Sequence, residues 1–233
     1  MLVELTRACN LRCLHCAVSL PNYVGESLPW ASFEKVLAML RRLRPSVELS
    51  GHGESLAYRR FFEAFRSVVE AGCPVTFTTN AMLLSPELSE RMLAHAGPRG
   101  WFQVTVSIDA AEPVLFERLR RGARFPTIVA NLEALRDARR RLGLEHPLVA
   151  FNTVLMRDNL EQLPGIVRLA AEVGAASVTV VELLEYEHFR GHGLEAAGGE
   201  VARAVAAARA EAASCGVVLT LVPGLASLVG EAS

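Results

Sequence analysis

At 233 residues, 51% of them hydrophobic, the chain is long enough to bury one sizeable core. Its 24 basic and 25 acidic side chains leave no charge excess to favour nucleic acid or a membrane surface. No run of about 18 apolar residues exists, which excludes a transmembrane helix, and the start MLVELTRACN lacks the basic and apolar blocks of a signal peptide, so a cytoplasmic location is expected.

In chain order, the sequence predicts a short strand over Leu2–Thr6 and a helix over Pro29–Leu43, with Trp30, Phe33, Val36, Leu37, Leu40 and Leu43 at helical spacing. A strand follows over Ser46–Ser50, then a helix over Tyr58–Ala71 that Gly72 ends. Next come a strand over Pro74–Thr79, a helix over Pro86–His95, a strand over Trp101–Ile108 and a helix near Thr127–Leu142. The last part reads as strand Pro147–Met156, helix Leu160–Val173, strand Ser177–Leu184, Ala-rich helix Glu195–Ser214 and strand Val217–Val222. This repeated order implies an α/β fold with a mostly parallel sheet and outer helices. Six units and a seventh strand fall short of the eight-unit barrel. An open, partial (βα)6 barrel is expected, as one core domain over 1–222. The tail 223–233 either closes a minimal core or is cut before a further domain.

Successive side chains point to opposite faces of a strand. Over 101–109 one face carries Phe102, Val104, Val106 and Ile108, and the other Gln103, Thr105, Ser107 and Asp109. Strand 74–80 sets Val75 and Phe77 against Thr76, Thr78 and Asn80. The apolar face is expected against helices and the polar face against a wet or ligand-filled lumen. A sheet with one solvent face is the alternative.

Of five cysteines, Cys73 and Cys215 stand alone beside Gly72 and Gly216 and read as structural. The other three lie in Cys9-Asn10-Leu11-Arg12-Cys13-Leu14-His15-Cys16, spaced C-x3-C-x2-C just after the first expected strand. Three thiolates this close can hold one soft metal centre. A [4Fe–4S] cluster takes four ligands, so three from the chain leave one iron open for a substrate or cofactor. Zinc with His15 as fourth ligand is a second reading, although zinc ligands usually come as two separated pairs. Chance clustering of structural cysteines is a third.

This motif, placed after the first strand, resembles that of the radical S-adenosylmethionine (radical SAM) superfamily. The resemblance implies a partial (βα)6 barrel, a [4Fe–4S] cluster on Cys9, Cys13 and Cys16, and SAM chelating the fourth iron. It implies that one electron cleaves SAM to methionine and a 5′-deoxyadenosyl radical, which abstracts hydrogen from the substrate. It also implies roles for further residues. Gly51-His52-Gly53-Glu54-Ser55 is similar to the family's Gly-Gly-Glu-Pro element, which places Gly53 and Glu54 beside the SAM amino group; His52 and Ser55 depart from that pattern. A plain turn is the alternative there. Ser107-Ile108-Asp109 is similar to a Ser-x-Asp element at SAM, and Asn152 matches an Asn at the ribose. A turn cap for Asp109 and a backbone-serving amide for Asn152 stand beside those roles. Arg120, among Arg118, Arg120 and Arg121, is expected at the SAM carboxylate. His15 takes the place of an aromatic over the adenine, Val181 and Glu182 sit where backbone touches adenine, and Thr79-Asn80 lies at the same mouth. Glu182, Glu185, Glu187, His188 and His192 form either a substrate-facing group or a solvated loop.

The stretch VSIDAAEPVLFERLRRG resembles the branch that holds peptide and small-molecule maturases, whose SPASM or Twitch extensions bind auxiliary clusters with cysteines this chain lacks. An oxidoreductase or maturase is therefore implied, acting on a peptide or small molecule by oxidation, cross-linking or epimerisation, with a flavodoxin- or ferredoxin-type electron donor. A glycyl-radical enzyme activase and a non-catalytic iron–sulfur binding or sensor protein are the two other readings.

Overall fold

The structure, a computed structural model, describes residues 1–194 and 197–230. Its elements in chain order are β1 (Arg12–Cys13), α1 (Trp30–Leu43), β2 (Val47–Glu48), α2 (Phe61–Glu70), β3 (Val75–Thr79), α3 (Pro86–Ala96), β4 (Phe102–Ser107) and α4 (Pro113–Leu119). They continue as β5 (Arg120–Arg121), α5 (Phe125–Arg141), β6 (Leu148–Leu155), α6 (Leu163–Val173), β7 (Ser177–Glu182), α7 (Gly198–Cys215), β8 (Val218–Leu221) and α8 (Pro223–Leu228). Six strands form an open sheet in the order β2-β3-β4-β6-β7-β8, with parallel pairing at β2–β3, β6–β7 and β7–β8. Strands that neighbour in sequence thus neighbour in space, as expected of repeated right-handed β–α units.

The chain divides into two compact units, and β4 contributes to both. The first comprises Met1–Asn10, Pro21–Thr105 and Thr127–Leu148. Its core forms where helix and strand faces meet: Phe61 packs edge-on to Phe77 and Phe65 edge-on to Phe102, all four buried. Each such ring contributes roughly 1.5–3 kcal/mol by leaving water. Helix α1 buries Phe33, Leu37 and Leu40, spaced to form one stripe. Helix α3 starts at Ser85, whose hydroxyl accepts from Leu88 N–H, with Pro86 in its first turn.

The second unit comprises Leu11–Leu20, Val106–Pro126 and residues from Val149 onward. Here β6, β7 and β8 lie side by side, and α6 packs on α7. Glycines at 174 and 216, both at positive φ, stop these two helices. A separate two-stranded sheet pairs β1 with β5 antiparallel and sets Cys13 opposite Arg120.

The expected alternation is present in burial. In β3 and β4, Val75, Phe77, Phe102, Val104 and Val106 are buried, while Thr76, Thr78, Gln103, Thr105 and Ser107 are half-buried. Some expectations are corrected. Leu2–Thr6 is an extended edge segment held by isolated bridges from Leu2 to Glu48 and from Thr6 to Ser27, not a full strand. The sequence pattern missed β1, β5, α4 and α8. The two strands are two residues long and form only because they pair with each other, and α4 buries just Phe116 and Leu119. Glu195, the expected start of the last long helix, lies outside the described residues, as do 231–233 of the tail.

Candidate active site

In the first unit, the chain entering the cysteine segment is fixed by the loop after β2. A Cβ on Gly53 would stand 2.5 Å from the carbonyl oxygens of both Thr6 and Ala8, so only glycine fits. The next residue, Glu54, donates its N–H to Ala8 O at 2.9 Å. Its buried carboxylate accepts from Leu56 N–H (3.0 Å), the Thr79 hydroxyl (2.6 Å) and Asn80 N–H (2.7 Å). The loop after β2 is thereby tied to the end of β3. Asn80, buried in turn, donates from Nδ2 to Asn10 Oδ1 at 2.9 Å and toward Cys9 Sγ at 3.9 Å. Its Oδ1 accepts from Met82 N–H, which fixes the amide's orientation. At the edge of the same loop, the Glu4 carboxylate accepts from His52 N–H at 2.8 Å.

In the second unit, Asp109 is fully buried at the end of β4. Val154 N–H donates to its Oδ1 at 3.0 Å, and Asn159 Nδ2 donates to its main-chain oxygen at 2.8 Å. Its Oδ2 lies 2.8 Å from Arg120 Nε and 3.3 Å from His15 Nε2. The Arg120 contact is an ion pair by distance, with the N–H out of line for a hydrogen bond. Arg120 Nη1 reaches 3.9 Å from Cys13 Sγ. Burial by itself would lower the Arg120 pKa, but Asp109 and then Cys13 outweigh it and hold the guanidinium firmly charged. Burial pushes the His15 pKa down, only partly offset by Asp109, and Arg120 pushes the same way. His15 Nδ1 is buried and has no hydrogen-bond partner among the described residues.

The remaining expected residues line half-buried positions. Ser107 ends β4, Asn152 lies in β6 between buried Phe151 and Thr153, and Val181 sits in β7 opposite Val154. Arg118 and Arg121, the other two arginines after β4, are exposed. In the polar group after β7, Glu182, Glu185, Glu187 and His188 are exposed, and Glu185 accepts from Gly193 N–H at 2.6 Å. His192 differs: its Nδ1 closely contacts Asp158, and its ring stacks on buried Phe189 at 3.9 Å. Sequence reading missed Asp158, Phe189 and Asn10. The available signal was Asp158-Asn159 just past a strand end, where polar side chains collect.

None of the five cysteines is in a disulfide. Among the described residues no three His, Cys, Asp or Glu side chains are already gathered around a metal-sized point. The donor chemistry nonetheless fits an iron–sulfur cluster. Three thiols share one short segment, and N–H donors from Asn80 and Arg120 approach two of them, as suits thiolates. His15, the fourth ligand of the zinc reading, turns its Nε2 toward Asp109 at 3.3 Å and leaves Nδ1 without a hydrogen-bond partner among the described residues.

The Radical SAM superfamily profile matches residues 3–170. Among curated proteins, the chain is 33% identical over 185 residues to the AdoMet-dependent heme synthase of Methanosarcina barkeri, covering 78% of this chain and 49% of that protein. It is 31% identical over 188 residues to the PqqA peptide cyclase of Rhodopseudomonas palustris (80% and 47%) and 28% identical over 172 residues to mycofactocin maturase MftC of Mycolicibacterium smegmatis (74% and 41%). The chain thus spans about half the length of the curated relatives it matches. In fold it is similar to Streptococcus suis SuiB bound to S-adenosylmethionine, with a TM-score of 0.74 at 16% identity over 100% of this chain and 52% of that one.

Proposed function

The chain belongs to the radical SAM superfamily, and from that premise we propose that it holds a [4Fe–4S] cluster on Cys9, Cys13 and Cys16, cleaves SAM reductively and abstracts hydrogen from a peptide substrate. The carrying observation is the C-x3-C-x2-C segment inside the matched region, with two of its sulfurs approached by N–H donors. When bound, the cluster supplies the single electron that breaks a carbon–sulfur bond of SAM.

The chain's own residues position what surrounds that event. Gly53 and Glu54 fix the backbone leading into Cys9 and present the loop that would receive the SAM amino group. Ser107, Asn152 and Val181 offer half-buried strand positions for the nucleoside, and His15, whose Nε2 faces Asp109, offers a ring face. Asp109 holds His15 and Arg120 in place. The peptide substrate class is supported by the names of two relatives, the PqqA peptide cyclase and SuiB bound to its precursor peptide SuiA. A flavodoxin- or ferredoxin-type protein would deliver the electron. Thiolate ligation suits a reducing compartment, which supports the cytoplasm; among the described residues no helix is long and apolar enough to cross a membrane.

The test is anaerobic reconstitution with iron and sulfide, followed by dithionite and SAM. Wild-type protein should bind four irons and release 5′-deoxyadenosine, detected by mass spectrometry; Cys13→Ala should lose cluster loading and fall to background. A fully loaded wild type that yields no 5′-deoxyadenosine would sink the enzyme reading in favour of an iron–sulfur binding protein. A stable complex with a glycyl-radical protein would favour an activase over a peptide maturase.

A further inference from the structure

Arg120 sits in an unusual position for a residue expected to grip a ligand carboxylate. The β1–β5 pairing places it directly opposite Cys13. Its side chain is 7% exposed, its Nε lies 2.8 Å from fully buried Asp109 Oδ2, and its Nη1 lies 3.9 Å from Cys13 Sγ. Asp109 is itself immobilised, because Val154 N–H and Asn159 Nδ2 hold its two ends. A carboxylate ligand needs a guanidinium edge open toward it. Arg120 sets its Nε against a buried aspartate and points Nη1 toward a thiol.

We propose that Arg120 is a positioning residue for the cluster, acting through Cys13 to set its reduction potential. The inference rests on the cluster assignment made above. The physical logic is electrostatic. Reduction adds an electron to an already negative thiolate-ligated cluster, so a fixed cation beside one sulfur favours the reduced state and raises the potential. Asp109 cancels part of that effect while keeping the guanidinium in register. Removing the cation and removing its counter-charge should therefore move the potential in opposite directions, which general loosening of the fold would not do.

The experiment is an anaerobic, EPR-monitored redox titration of the reconstituted protein, paired with equilibrium dialysis of SAM. Arg120→Gln should lower the potential so that the reduced-to-oxidised ratio at a fixed poise falls about tenfold, which is about 59 mV for one electron. Asp109→Asn should raise it, and Arg120→Lys, which keeps the charge, should stay within threefold of wild type in that ratio. SAM affinity of Arg120→Gln should change less than threefold. If Arg120→Gln does not fold, the upward shift in Asp109→Asn still decides the matter: an unchanged or lower potential there overturns the proposal. A tenfold loss of SAM affinity in Arg120→Gln or Arg120→Lys at an unchanged potential overturns it in favour of carboxylate binding. A wild type that binds no cluster overturns the cluster assignment itself.

Discussion

Two buried carboxylates, Glu54 in the first unit and Asp109 in the second, are held by different kinds of partner. Glu54 accepts from two backbone N–H groups and a hydroxyl, from its own loop and the end of β3. Asp109 is met by one backbone N–H, a charged guanidinium and an imidazole. The first arrangement resembles a helix cap carried into a loop: it satisfies backbone groups and fixes chain direction. The second stores a buried charge pair beside the Cys13 thiol. The difference separates a scaffold carboxylate from one that balances a functional cation, and it is testable because the two should respond differently to deletion.

The largest effect is expected at Asp109. Asp109→Ala leaves Arg120 buried without its counter-charge and should cost about 3–5 kcal/mol, read as a lowered urea midpoint of the cluster-free protein. Adding Arg120→Met should recover much of that loss, since removing a buried pair together is far cheaper than stranding one member. Failure of the double variant to recover stability would mean that the pair is not the relevant unit.

Glu54→Ala comes next. It strands the Leu56 N–H, the Thr79 hydroxyl and the Asn80 N–H, and should cost about 2–4 kcal/mol. No single second substitution should rescue it, because its partners are two backbone groups and one hydroxyl on separate residues. Glu54→Gln keeps one acceptor oxygen and should lose roughly half as much. A Glu54→Ala protein as stable as wild type would remove the scaffold role and leave ligand contact as the reason for its burial.

The two regions were also unequally legible in the sequence. The Glu54 loop announced itself through Gly53 and the strand before it, because close backbone approach demands glycine and leaves a signature. The cysteine spacing was readable for the same reason: ligand geometry restricts sequence. Alternation in β3 and β4 gave the two faces as far as Thr78 and Ser107, whereas Asn80 and Asp109, read onto the polar face, are buried. The Arg120 environment was hidden, because β1 and β5 are two residues each and carry no periodicity. Which of three arginines turns inward depends on that pairing, not on the residues around it. The contact of His192 with Asp158 was hidden likewise, since it joins the loop after β7 to the end of β6 across 34 positions of sequence.

The smallest effect sharpens the contrast from the solvent side. Glu4, partly exposed, carries a pKa held below its ordinary value chiefly by the hydrogen bond from His52 N–H. A carboxylate with a depressed folded pKa binds fewer protons folded than unfolded, so its contribution is fully present above the unfolded value of 4.5 and is lost as pH falls through the folded one. Exposure and screening keep that contribution below about 1 kcal/mol. Glu4→Gln should therefore lower the urea midpoint slightly at pH 7, and the gap between variant and wild type should close below pH 4.5. A gap that persists unchanged at acid pH would show that the contribution of Glu4 does not come from its charge.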